Sequence, residues 1–266
     1  MLSGENGIGH RVDPLMLWSF EHLRGYTLRA TDGTLGDVHD VLFDDTEWTV
    51  RYLVVDTGTW LSGRRALIIP AVLDRPDPER REFPVALTKE QVRNSPDIDT
   101  DKPVSREQET TLYGYYGWPN YWVMPAAEGA AVPPAAAAPE SRIRAELERR
   151  VKEAEHADPH LRSAREVSGY YIEALDGDIG HVEDFLIDDN GWRIRYLVAD
   201  TRNWLPGKQV ILSPDWVLRI DWNERTVHVD HNREQIKNSP EYDPSTGVDQ
   251  AFESQLYDYY GRRPYW

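Results

Sequence analysis

The chain contains no cysteine. That excludes a disulfide framework and any thiolate chemistry. Basic charge is scarce as well: 30 Lys and Arg stand against 46 Asp and Glu, a formal net charge of −16. A surface of that sign repels nucleic-acid phosphate and anionic lipid, and no basic run interrupts it. No apolar stretch approaches the ~18–20 residues that a membrane helix needs. Residues 1–6 carry neither the basic start nor the apolar middle of a secretion signal. There is no glycine-rich phosphate loop, no Gly-x-Ser-x-Gly elbow and no cysteine nucleophile. These absences lead to the expectation of a soluble, acidic, cytoplasmic protein that is not an enzyme. It should hold no cofactor, bind no nucleic acid and have no membrane span.

What is present is a repeat. The stretch Trp48-Thr49-Val50-Arg51-Tyr52-Leu53-Val54-Val55-Asp56-Thr57 recurs as Trp192-Arg193-Ile194-Arg195-Tyr196-Leu197-Val198-Ala199-Asp200-Thr201. The offset of 144 residues holds without a gap from Gly25/Gly169 to Trp122/Trp266. Roughly two fifths of those positions are identical, and a period this long means two copies of one domain rather than a solenoid. A chain of 266 residues has room for two domains of about 100 residues and a connector. In each decapeptide Trp48, Val50, Tyr52 and Val54 alternate with Leu53 and Val55. Both faces are apolar, which predicts a central strand buried from two sides.

Around that strand the first copy predicts about six short strands. A short helix or turn at 14–18 leads in, its apolar residues lying on the barrel wall or the other domain. A strand at 26–30 turns at Asp32-Gly33, where positive φ is tolerated. Gly36 and Gly180 mark a bulge or a close approach of backbones. The hairpin of 216–229 is clear in copy two, and Pro76 and Pro78 predict a shorter one in copy one. Such short, closely turned strands favour a small closed barrel. Thr88-x-x-Gln91 and Asn232-x-x-Gln235 predict capping boxes, and helices follow over 105–116 and 249–260. Residues 123–139 form an Ala/Pro linker, and Ile143, Leu147 and Val151 predict a connecting helix over 140–157. The domains are therefore an N-terminal segment 1–19, repeat 1 over 20–122, the linker, the helix, and repeat 2 over 165–266.

Each copy resembles a PRC-barrel domain. The carriers are Gly25-Tyr26, Asp32-Gly33 with Gly36, Val38-x-Asp40, Asp44-Asp45, Trp48-x-x-Arg51-Tyr52-Leu53-Val54-Val55-Asp56-Thr57, Trp60-Leu61 and the strand ending at Pro70, with their twins. The domain occurs in the cytoplasmic part of the photosynthetic reaction-centre H chain and in a ribosome-maturation factor. The resemblance implies two tandem six-stranded barrels, mainly β with short helices, used as adaptor or assembly modules without a common active site. The H chain's membrane helix and the ribosome factor's extra N-terminal barrel have no counterpart here.

Two sets of residues invite a functional reading. Asp40, Asp44, Asp45 and Asp56, with Asp184, Asp188, Asp189 and Asp200, could hold a hard cation, and so make a metal- or small-ligand-binding sensor. Alternatively they cap hairpin turns, with Asp56 or Asp200 ending a strand beside Arg51 or Arg195. Among the histidines, His156/His160 and His228/His231 lack the convergence that a metal needs. The aromatic tails (Trp118, Tyr121, Trp122; Tyr265, Trp266) and the loop pairs Trp60-Leu61 and Trp204-Leu205 either close the barrels or form a surface for an unknown protein partner. The same patches, present twice, predict a pseudo-two-fold contact between the repeats.

Overall fold

The computed structural model describes residues 16–122, 160–201 and 208–266. The linker, the connecting helix, His156 and the pair Trp204-Leu205 lie outside the described residues. The elements of the first part are β1 (Leu17–Ser19), α1 (Phe20–Leu23), β2 (Thr27–Ala30), β3 (Gly33–Asp44), β4 (Thr49–Asp56), β5 (Arg65–Ile68), β6 (Glu82–Pro84), α2 (Lys89–Arg93) and α3 (Arg106–Tyr116). The second part has β7 (Leu161–Ser163), α4 (Ala164–Val167), β8 (Tyr171–Ala174), β9 (Gly177–Asp188), β10 (Ile194–Asp200), β11 (Gln209–Leu212), β12 (Val217–Asp221), β13 (Thr226–Val229), α5 (Arg233–Asn238) and α6 (Gln250–Tyr260). No helix among the described residues is long and apolar enough to cross a membrane.

The protein is mainly β, with short helices, and divides into two compact units. One lies within residues 21–168; the other combines residues up to 20 with 169–266. The division does not follow the repeats. Each unit is one repeat plus the short leading segment that precedes the other repeat in the chain.

In the first unit the sheet runs β5-β4-β3-β2-β6 with β7 added on β3, six strands in all. In the second it runs β11-β10-β9-β8-β13-β12 with β1 added on β9, seven in all. Among the described residues no ladder joins the two ends of either path, so the expected barrels are not closed rings of ladders. The end strands are three to five residues long. As the prolines predict, the β6 hairpin is the shorter one, held by isolated bridges at Leu73/Val85 and Asp77/Glu82.

The 12-residue strand β3 organises the first sheet. One edge pairs with β4 from Asp37 to Asp44. The other edge pairs with β2, but only over Gly33–Asp37. At Gly36, φ is +149° and an added Cβ would run into the carbonyl of Asp56; Gly180 meets Asp200 in the same way. The predicted close approach is therefore real, and only glycine permits it.

Strand β4 is buried on both faces from Tyr52 to Val55. Tyr52 and Val54 face a core with Leu42, Leu67, Ile69, Ile98, Val104, Leu112 and Tyr113. The strand begins at Thr49, however, and not at Trp48. Trp48 has φ +53° and Trp192 has φ +55°. Both are half-buried turn residues, with Trp48 stacked on Phe43 at 5.4 Å between centroids. The amide of Trp48 donates to the Asp44 carbonyl at 2.7 Å, closing a turn whose last residue must be left-handed to match the strand twist. Capping boxes are in place at Thr88 and Asn232, and also at Ser105.

Candidate functional site

Because β2 covers only the first half of its edge of β3, the second half would be a bare sheet edge, a row of unpaired amides and carbonyls. The segment 160–165 fills it. Strand β7 pairs antiparallel with β3, Leu42 opposite Ser163, Phe43 opposite Arg162 and Asp44 opposite Leu161. The Asp45 amide donates to the His160 carbonyl at 2.9 Å. Leu161 enters the core cluster of Tyr52 and Leu112.

The side chains add a clamp. Asp40 Oδ2 accepts from the Ser163 hydroxyl at 2.5 Å, and Oδ1 accepts from the amides of Arg165 at 3.1 Å and Val41 at 2.8 Å. Burial pushes the Asp40 carboxyl above its ordinary value, and these three bonds oppose the shift. Asp45 lies between Arg162 Nε at 2.9 Å and His160 Nδ1 at 3.2 Å. The Arg165 guanidinium donates to His39 Nε2 at 2.6 Å, which requires neutral imidazole. Burial first, then Arg65 and Arg165, hold the His39 pKa down.

The second unit repeats the arrangement with the segments reversed. Strand β1 pairs with β9, Leu17 opposite Asp188 and Ser19 opposite Leu186. The Ser19 hydroxyl donates to Asp184. The Asp189 amide donates to the Met16 carbonyl at 3.2 Å, and the Met16 amide donates to Asp189 Oδ1 at 3.3 Å. Ser19/Ser163 and Asp40/Asp184 are equivalent positions, so the exchange is reciprocal. The lead-in at 17–19 is thus a strand rather than the expected helix or turn, because a waiting sheet edge fixes its conformation. A trace was present in the sequence: Leu-x-Ser stands at 17–19 and again at 161–163, upstream of the aligned repeat.

The remaining aspartates sit in turns or at strand ends. Asp44 Oδ1 accepts from the amides of Thr46 and Glu47 at 2.9 and 3.0 Å, and Asp188 Oδ1 from those of Asn190 and Gly191. Asp56 accepts from the Gly58 amide at 2.9 Å, and Asp200 lies 3.6 Å from His181. Arg51 and Arg195 stand beside Asp44 and Asp188, at 3.6 and 2.5 Å, not beside Asp56 and Asp200 as expected. Alternation along β4 puts Arg51 at the turn end of the strand, five residues from Asp56.

The first aromatic tail packs within its own unit. Tyr121 lies under Arg51, 4.0 Å from ring centroid to guanidinium, and Trp118 stacks on Tyr116 at 4.1 Å. Trp122 contacts Tyr113 at 5.1 Å and Arg106 at 4.5 Å. Beneath them is a carboxylate that sequence reasoning missed. Glu109 is buried, accepts from Tyr52 at 2.9 Å and Tyr121 at 2.8 Å, and pairs with Arg106 at 2.8 Å. Burial pushes its carboxyl up, against the pull of Arg106. In the second unit Glu253 accepts from Tyr196 at 2.7 Å and Tyr265 at 2.9 Å, with Gln250 where the first unit has Arg106. Trp266 remains 49% exposed. Trp60 donates its ring N–H to the Leu35 carbonyl at 2.5 Å and lies under Lys89, while Leu61 is half-buried. His228 and His231 take separate acidic neighbours, Glu173 and Asp230.

Each unit is thus a small β-module with long strands, one sheet edge of which pairs with a separate segment of the same chain and holds it by an aspartate clamp. The model of the PRC-barrel domain matches the chain twice, over residues 19–92 and 162–236, more than half of its length, and the chain belongs to that family. No curated protein matches it.

Proposed function

We propose that the chain is a non-enzymatic interaction and assembly module of the cytoplasm, built on a duplicated PRC barrel. PRC-barrel domains are generally interaction and assembly modules. The observation that carries the reading is the half-edge of β3, which takes a separate segment by ladder pairing and an aspartate clamp. Strand addition to a sheet edge is a recurrent mode of peptide recognition. A role like that of the reaction-centre H chain, holding a larger complex together, is one form of such assembly. The outside protein partner is assigned to the aromatic tails, chiefly Tyr265 and Trp266, whose rings stay half-buried or exposed. Nucleic acid is disfavoured as a partner by the charge of −16.

The sensor alternative gains little support, because Asp40, Asp44, Asp45 and Asp188 already accept from amides, hydroxyls or arginine. Affinity capture from the native cell by the full chain, followed by mass spectrometry, tests the proposal. A protein captured by the wild type and lost with Trp266→Ala and Tyr265→Ala together supports it. Stoichiometric binding of calcium, magnesium or manganese in calorimetry, abolished by Asp44→Asn with Asp45→Asn, would replace it with the sensor.

A further inference from the structure

Nothing in the clamp requires its two halves to come from the same chain. Leu161 fills an apolar socket, Ser163 meets Asp40, and Arg162 with His160 meets Asp45. All of these contacts run between residues 160–165 and the first repeat. We propose that a second copy of this chain can supply the strand, so that two chains associate by exchanging leading segments. Residues 160–165 of each copy would then occupy the β3 edge of the other, and residues 16–19 of each the β9 edge of the other. The inference deepens the assembly reading by naming a partner.

Three features support the exchange. Every contact of the clamp is kept in the exchanged form, which is why domain swapping is a low-cost route to dimers. Each chain carries both parts of the fit, Leu-x-Ser in the strand and Asp in the edge, twice. The strand is joined to the edge it fills through residues 123–159, a length that spans at most ~130 Å when extended, so reach does not forbid a partner. Within one chain the strand and its edge are covalently joined, so their pairing does not depend on concentration, whereas exchange does. Single chains are therefore favoured in dilute solution, and exchange is favoured when chains fold together at high concentration.

The lack of native cysteine makes a direct test available. Full-length chains carrying Asp45→Cys are mixed in denaturant with full-length chains carrying His160→Cys, refolded together at high concentration and oxidised. Positions 45 and 160 are joined by a backbone hydrogen bond, so a mixed disulfide forms only if the strand of one chain lies on the edge of another. The expected result is a cross-linked heterodimer, twice the mass of the chain by light scattering, whose yield falls at least tenfold when refolding is done a hundredfold more dilute. Asp189→Cys with Met16→Cys reports the reciprocal edge and covers the case in which loss of Asp45 weakens the first. Monomers at every concentration for both pairs would overturn the inference, as would a dimer that neither pair cross-links. Either outcome leaves capture of an outside partner through the aromatic tails untouched, and failure of that capture leaves the exchange untouched.

Discussion

Replacing Asp40 by alanine removes three acceptor contacts at once, to the Ser163 hydroxyl and to the amides of Arg165 and Val41. A buried hydrogen bond contributes about 0.5–1.5 kcal/mol net, and a buried donor left without a partner costs about 1–3 kcal/mol. The first unit should lose about 2–4 kcal/mol. Asp40→Asn keeps one oxygen for the two amides and turns an N–H toward Ser163, whose hydroxyl can accept. It should stay within about 1 kcal/mol of the wild type at neutral pH. The two variants also separate in their pH dependence. Burial raises the folded pKa of Asp40 above its unfolded value, so the folded state holds the proton more tightly. The resulting stabilisation is fully present below about pH 3.9 and is lost as pH rises through the raised folded value. Asn has no such titration, so the wild type should lose ground to Asp40→Asn across that window and hold a constant gap above it. Urea unfolding followed by tryptophan fluorescence from about pH 3.5 to 7.5 measures both effects. Hydrogen exchange of peptides spanning 38–45 and 160–168 localises them. An alanine variant within about 0.5 kcal/mol of wild type, or an asparagine variant as damaging as alanine, would refute the clamp.

Gly36→Ala and Gly180→Ala should each cost more than about 3 kcal/mol or prevent folding, because both the positive φ and the facing carbonyl oppose a methyl group; chemical denaturation of each variant checks this. Trp48→Ala should cost only about 1–2 kcal/mol, less than a core tryptophan, since the ring is half-buried and stacked on one partner; thermal unfolding that shows a loss above about 4 kcal/mol would place the ring in the core after all.

Local chemistry made much of this fold legible. The two-sided burial of β4 followed from alternation, Gly36 from its place beside a strand, and the helices from Thr88, Asn232 and Asp249. The rest depended on contacts remote in sequence or on backbone conformation that side-chain pattern does not reveal. Leu17–Ser19 and Leu161–Ser163 are three residues each, too short for any periodicity to register, and their partners lie more than a hundred residues away. Trp48 escaped because its aromatic ring continues the apolar alternation of the strand while its backbone has already turned left-handed. Asp40 and Asp44 differ by four positions and look alike in sequence, yet one clamps a strand and the other closes a turn. Glu109 gave no signal at all, because an acidic residue in the first turn of a helix is ordinary.

The borrowed strand also orders events in time. Asp40 and Ser163 are 123 residues apart, and Ser19 and Asp184 are 165 apart. At the usual ~5–20 residues per second of synthesis, residues of the first repeat up to Trp122 leave the ribosome about 2–8 s before Ser163 follows. For that interval the far half of β3 has β4 on one edge and no strand on the other, which is open to the wrong one. The carboxylates at 40, 44 and 45 lie along this half of the strand and the turn that follows it, and charge on a bare edge discourages foreign pairing. The strand that finally docks brings Arg162 to Asp45 and a hydroxyl to Asp40, so the groups that guard the nascent edge are the ones that admit its proper occupant.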